Sequence, residues 1–337
     1  SDVHLGASDR AALRVDGCLV AIDAIVDDAS VRAFLEAALT AHQFADLEHN
    51  GSADGACVTP QDGGPYRIHA YRHARGLRLA IRLLAERIPS VEGLGLPLML
   101  ASFADRTAGL VLFTGPTGCG KSTALAAVID RINRTSARTI VTIEDPIEYV
   151  YRPLRSLITQ CEVGGNLPGY AEAVRGFLRA DPDVILIGEM RDRDTMAAAL
   201  TAAETGHLVF STLHTNDAAQ TVDRIVDAFP CDAHRQVRTQ LAAVLTAVVA
   251  LRLVVRRSGG RCAAAELLIA TEAVRALIRE GKTHQLRNAI VTGRAAGMQT
   301  LEAHLDALLL RAVIDIEAAR AVSVRHGDLR CAQRAAS

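Results

Sequence analysis

The segment Gly115-Pro-Thr-Gly-Cys-Gly-Lys-Ser122 fits the spacing G-x-x-x-x-G-K-[ST], and no other segment of the chain does. An apolar run at 110–114 leads directly into it, and a helical pattern at 124–130 follows. Strand, glycine-rich turn and helix in that order are the context such a loop requires. Glycines let successive backbone N–H groups curl around a phosphate, and the positive end of the next helix adds to the attraction. Gly115, Pro116, Thr117, Gly118, Cys119, Gly120, Lys121, Ser122 and Thr123 are therefore candidate ATP-binding residues. Lys121 is expected to reach the β- and γ-phosphates, and the Ser122 hydroxyl to ligand Mg²⁺. Cys119 is read as a small spacer contributing its backbone N–H, not as a nucleophile.

A loop of this kind sits at the edge of a parallel sheet, and the flanking pattern agrees. Short apolar runs at 110–114, 139–144, 184–188 and 208–213 alternate with helical patterns, which predicts an α/β domain with a mostly parallel sheet. Ligands of such sheets lie at the carboxyl ends of the strands, so the residues that end these runs are the next candidates. Asp183-Val-Ile-Leu-Ile-Gly-Glu189 ends in a carboxylate. Glu189 can hold a Mg²⁺-linked water or polarise the attacking water. Thr142-Ile-Glu-Asp-Pro-Ile-Glu148 places Glu144, Asp145 and Glu148 after another strand, where one of them can serve as the base, on a turn constrained by Pro146. Gly206-His-Leu-Val-Phe-Ser-Thr-Leu-His214 carries two histidines at opposite ends of a strand, ~23 Å apart at ~3.3 Å per residue. They cannot share one phosphate. His214, at the carboxyl end, is the candidate γ-phosphate sensor; His207 is at least as well read as structural or as a subunit contact.

Composition narrows the class. Of 337 residues, 50% are hydrophobic and 22% charged, which excludes a disordered chain. A net charge of −1 and only 4% aromatics argue against a nucleic-acid partner, since a strand-threading ring would need basic and aromatic pore residues. The seven cysteines form no C-x-x-C pair, so reduced thiols in a cytosolic protein are expected. The longest apolar stretch, 241–251, is broken by Thr246 and stopped by Arg252; it is far short of the ~20 residues a bilayer demands. No signal peptide is visible, and the chain opens Ser1-Asp2 without Met, so a trimmed leader or first helix is expected.

Residues 1–88 read as a small α+β domain, 89–100 as a breaker-rich linker, and 101–337 as the ATP-binding domain with a C-terminal region that reads as helical from about Asp232 onward. Within the first domain, 66–72 and 77–83 alternate in character around a short turn, an antiparallel hairpin pattern. Centring the turn between Ala74 and Arg75 pairs residues whose numbers sum to 149, which sets Arg67 opposite Arg82 and puts Leu77, Leu79, Ile81 and Leu83 on the other face. Like charges directly opposed destabilise a sheet. The pair therefore calls either for a nearby anion or for local acidic partners, and a phosphate site open to a neighbouring subunit can use arginines supplied in trans.

Taken together and in order, GPTGCGKST (115–123), TIEDPIEY (142–149), LRADPDVILIGEMRD (178–192) and TAAETGHLVFSTLHT (201–215) resemble the boxes of the secretion ATPase superfamily, with the closest likeness to type IV pilus retraction ATPases. SDVHL (1–5), GMQTL (297–301) and AVRALIRE (273–280) extend the likeness over nearly the whole chain. The resemblance implies a PAS-like N-terminal domain, a RecA-like ATPase domain, and a homo-hexameric ring at the cytoplasmic face of the inner membrane acting on a pilus platform protein. It also implies that Glu148 activates water ahead of Glu144, and that trans-acting arginines, here Arg67 and Arg82, come from the N-terminal domain. In AVRALIRE, Val274, Leu277 and Ile278 share one helix face while Arg275 and Arg279 occupy an exposed one. Without the likeness this is an ordinary solvated amphipathic helix. The absence of a tetracysteine Zn motif favours retraction over extension. Other readings remain at this stage: an accessory or extension-type paralogue, a P-loop kinase, for which no acceptor site is evident, and a nucleotide-gated scaffold with little turnover.

Overall fold

Turn geometry sets the first unit. The strands Tyr66–His73 and Gly76–Leu83 pair antiparallel through His73 and Gly76, leaving Ala74 and Arg75 in the turn. Gly76 has φ 122°, a left-handed value that L residues with side chains avoid. Arg67 does stand opposite Arg82, in the expected register. The computed structural model describes residues 2–7, 9–15, 18–57, 66–83, 87–164, 167, 169–323, 327 and 329.

Contacts divide the chain into two units, the first formed by Ser1–Ile88 with Glu144–Arg152 and Gln160–Gly169. Its elements are β1 (Asp2–Gly6), β2 (Arg10–Val15), β3 (Cys18–Ile25), α1 (Asp28–Ala38), α2 (Ala41–Asn50), β4 (Ser52–Cys57), β5 (Tyr66–His73) and β6 (Gly76–Leu83). The strands make one antiparallel sheet in the order β3-β2-β1-β6-β5-β4. Asp27 caps α1 through the Ser30 N–H, and Thr40 with Gln43 forms a capping box on α2. Val31, Leu35 and Leu47 of these helices bury against Ile68, Ala70, Leu77 and Leu79 of the hairpin, with Ile81 packed at the margin. Leu83, expected on the apolar face, is 54% exposed at the strand's end.

The second unit comprises Pro89–Ile143, Pro153–Thr159 and Tyr170–Ser337. Its elements, counting β8 and β9 here although Glu144 and Gln160–Glu162 at their ends fall in the first unit, are α3 (Met99–Ser102), β7 (Gly109–Thr114), α4 (Lys121–Thr135), β8 (Thr139–Glu144), β9 (Leu157–Glu162), α5 (Tyr170–Phe177), β10 (Val184–Ile187), α6 (Arg193–Glu204), β11 (Leu208–Leu213), α7 (Ala218–Asp227), α8 (His234–Val244), β12 (Leu245–Val255), β13 (Arg261–Ile269), α9 (Glu272–Arg279), α10 (Leu286–Thr292), α11 (Leu301–Leu310) and α12 (Ile316–Val322). The sheet runs β13-β12-β7-β11-β10-β8-β9, with parallel pairing from β12 through β8 and β13 antiparallel at one edge. Every residue of β7, β10 and β11 is buried, the expected state of parallel strands covered on both faces. The fold is α/β.

One expectation is corrected here. The region after Asp232 is not helical throughout: α8 gives way to β12 and β13, which together form an eleven-residue and a nine-residue strand. The Ala/Leu content of this stretch suits a helix, but Val248, Val249, Val254 and Val255 suit a strand. Pairing of β12 with β7 decides the matter, and α11 and α12 then cover Val254, Cys262 and Ala264. Among the described residues no helix is long and apolar enough to cross a membrane. Cys18, Cys119, Cys161, Cys231 and Cys262 are free thiols.

Candidate functional site

The phosphate loop joins β7 to α4. Gly115 has φ 138°, and a Cβ there would lie 2.5 Å from the Leu251 carbonyl oxygen and 2.6 Å from Cys119 Sγ. Only glycine fits. Gly120 opens α4 with φ 95° and places no side-chain cap on the helix's first amides, an arrangement that offers N–H groups and the positive helix end to an anion. Lys121 is 8% exposed, and its Nζ donates to the carbonyls of Gly115 at 2.7 Å and Pro116 at 3.1 Å. The ammonium is thereby folded back over the loop. Ser122 and Thr123 stand in the first turn of α4. Cys119 is buried, and burial pushes its thiol pKa up, the opposite of what a nucleophile needs.

Two strand ends converge beside this loop. Glu189, just after β10, lies with Oε1 3.2 Å from His214 Nε2 and Oε2 2.9 Å from Arg191 Nε. The other ring nitrogen of His214 meets Thr117 Oγ1 of the phosphate loop at 3.5 Å. Thr117, His214 and Glu189 thus form one connected set at the carboxyl edge of the sheet, as the strand order predicts. His207 sits at the opposite end of β11, with Nδ1 3.0 Å from the Ala202 carbonyl and 3.1 Å from Thr205 Oγ1. That is a structural tie to the end of α6.

The loop after His214 is held by groups the sequence reading did not single out. Thr215 Oγ1 lies within hydrogen-bond distance of Thr114 Oγ1, at 2.5 Å, and of Thr221 Oγ1, at 2.6 Å. Arg252, half-buried on β12, donates from Nη2 to Asn216 O at 3.1 Å and Oδ1 at 2.9 Å. Glu266, on β13 and 6% exposed, accepts from the Ala218 N–H at 3.1 Å. The detectable signal was a lone Glu inside the apolar run AAAELLI (263–269).

The remaining candidates belong to the first unit. Glu144 accepts from Gln160 Nε2 at 3.2 Å, while Glu148 is exposed. Arg82 donates from Nε to Asp2 Oδ1 at 2.6 Å and from Nη2 to Oδ2 at 3.3 Å. This bond holds the Asp2 carboxyl below and the Arg82 guanidinium above their ordinary pKa values, and the charge of Glu148 adds to the effect on Arg82. Arg67 Nη2 lies 3.8 Å from Asp54 Oδ1. Aspartates on the flanking strands therefore serve each member of the opposed arginine pair. Glu162, whose pKa burial raises, accepts from the Ile147 N–H at 3.3 Å in the turn between Glu144 and Glu148.

AVRALIRE forms α9, with Val274 and Ile278 buried as expected. Arg275 departs from its expected exposed position: it is half-buried, and its Nη1 donates to the carbonyls of Ala242 and, at 2.7 Å, Ala243. Those are carbonyls of the last turn of α8, orphaned by the helix end. Arg279 is exposed.

The family described as Type II/IV secretion system protein matches residues 67–334. The type IV pilus retraction ATPase PilT of Pseudomonas aeruginosa is 43% identical over 321 residues, covering 95% of this chain and 93% of that one. A twitching motility protein of Neisseria gonorrhoeae is 49% identical over 280 residues, with 83% and 75% covered. The crystal structure of a pilus retraction motor PilT with bound ADP superposes with a TM-score of 0.88 at 40% identity, covering 96% of this chain and 93% of the other.

Proposed function

This chain belongs to the Type II/IV secretion system protein family, and on that premise we propose that it is an ATPase powering type IV pilus retraction. The observation that carries the reading is the joining of Thr117, His214 and Glu189 at the mouth of a phosphate loop whose first glycine admits no side chain. An uncapped helix end, a buried lysine and a carboxylate beside them suit a nucleoside triphosphate.

Mg²⁺ fits the same residues: Ser122 would supply a hydroxyl ligand and Glu189 would hold an ion-linked water, and the ion would neutralise phosphate charge when bound. His214 reads the γ-phosphate, being tied both to the loop through Thr117 and to Glu189. Glu148 activates the attacking water, with Glu144, held by Gln160, in second place. Arg67 and Arg82 meet transition-state charge at a neighbouring subunit's site, which requires a ring; the family resemblance supports a homo-hexamer. The ring works in the cytoplasm at the inner membrane, on a pilus platform protein. The reading takes 1–88 and 101–337 as the two domains, with 89–100 between them.

Two measurements test this. Purified protein is assayed for ATP turnover, alone and with its membrane platform partner; no turnover under either condition refutes the motor reading and leaves a scaffold. Disruption of the gene is then scored for surface pili: excess pili with lost twitching support retraction, whereas bald cells indicate extension.

A further inference from the structure

The loop carrying His214 into α7 is gripped from below by the edge hairpin β12–β13. Asp217 already caps α7, its Oδ1 accepting from the Gln220 N–H at 2.8 Å. A second, buried carboxylate under the same helix end exceeds what capping needs. Glu266 provides it, accepting from the N–H of Ala218, the first residue of α7. The charged groups around Glu266 are Asp217 at the head of α7, Arg287 of α10 at 4.0 Å, and Glu302 of α11, which Arg287 also contacts at 3.2 Å. The first turn of α7 connects directly to the reactive edge. Thr221 bonds Thr215, Thr215 bonds Thr114, and Thr114 immediately precedes the phosphate loop.

We propose that Glu266 is a positioning residue for His214: its carboxylate anchors the first turn of α7, so that His214 stays between Thr117 and Glu189. The inference rests on the ATPase reading above. The carboxylate acts through the helix and touches no reacting atom. Its charge strengthens the bond to the Ala218 N–H and is favoured by the positive helix end. Burial raises its pKa from 4.5 to about 7, so the anchor loses charge just below neutrality.

Glu266→Gln keeps shape and acceptor but removes the charge. Turnover number is expected to fall about tenfold at about pH 8, the worth of one charge-assisted hydrogen bond, with KM for ATP unchanged. Wild-type turnover is expected to rise between about pH 6 and 8 as Glu266 ionises, and the variant is expected to lack that rise. A variant that keeps this rise, or that loses ATP affinity together with turnover, overturns the proposal. A second measurement uses no nucleotide. In Glu266→Ala, with cooperative melting retained, amide exchange at Ala218 is expected to be at least about tenfold faster than in the wild type. Unchanged exchange there overturns the anchor whatever the turnover. An inert wild type refutes the ATPase reading and with it the positioning role.

Discussion

His214 Nε2 stands 3.2 Å from Glu189 Oε1, although the two residues end different strands. Parallel pairing of β10 with β11 aligns Ile187 with Ser211 and so brings both strand ends to one edge. A carboxylate held between an imidazole and the Arg191 guanidinium is oriented before any substrate arrives. Glu189→Gln is therefore expected to keep ATP binding while turnover falls roughly 10²–10⁴-fold, whereas Lys121→Ala loses both. Equilibrium nucleotide binding and steady-state turnover on the two variants check this; undiminished hydrolysis in Glu189→Gln assigns the carboxylate role elsewhere.

The acidic turn permits a direct ranking. Glu144 is engaged by Gln160 Nε2, whereas Glu148 is exposed. Glu148→Gln is expected to lower turnover by at least roughly 10²-fold, with a smaller effect for Glu144→Gln. Turnover of the two variants under saturating ATP gives the order.

Arg82 has a local carboxylate partner, so its substitution needs a control. Arg82→Ala is expected to lower hydrolysis by about 10³-fold or more while sparing ATP binding, in the manner of an arginine supplied in trans. Asp2→Asn removes the local partner and is expected to leave much of the turnover intact. Mixing Arg82→Ala subunits with Glu189→Gln subunits should restore part of the activity at interfaces that pair intact residues. Confirmed co-assembly without recovery makes Arg82 a residue of its own subunit's structure.

Arg275 and Arg279 now separate. Arg275→Ala leaves the Ala242 and Ala243 carbonyls at the end of α8 without their donor, an expected loss of about 1–3 kcal/mol. Arg279→Ala, on the exposed side, is expected to cost under about 0.5 kcal/mol. Denaturant midpoints distinguish them, and twitching of the Arg279 variant in cells tests the helix as a partner surface without a stability penalty.

Glu266 also shapes stability against pH. Its pKa rises from 4.5 to about 7 on folding, so between those values the folded state binds more protons than the unfolded one. Stability should consequently fall as pH rises through that window, by on the order of 3 kcal/mol for this group, and stay reduced above it. Glu266→Gln is expected to remove that slope in melts recorded from about pH 5 to pH 8. The charged form that positions His214 is thus the less stable one, an exchange common at working sites.

Much of the candidate site was legible because its signals are local. Glycine spacing set the phosphate loop, apolar runs set the strands, and a carboxylate or histidine ending a run falls at the carboxyl edge of the parallel sheet. The Arg67–Arg82 opposition followed from the turn alone, since a tight turn fixes register for every pair beyond it.

What packing alone decided lies where partners are distant in the chain. Leu245–Val255 carries both helical and strand tendencies, and its place beside β7 selects the strand. The partner of Glu266 is 48 residues away at Ala218, and Arg275 reaches carbonyls more than thirty positions back. Backbone propensity and turn chemistry act over a few residues, so the sequence by itself determined the phosphate loop, the parallel strands around it and the N-terminal hairpin. A buried charge, by contrast, must find its partner wherever the folded chain brings one, and only the tertiary structure decided which helix end Glu266 holds and which aspartates neutralise the opposed arginines.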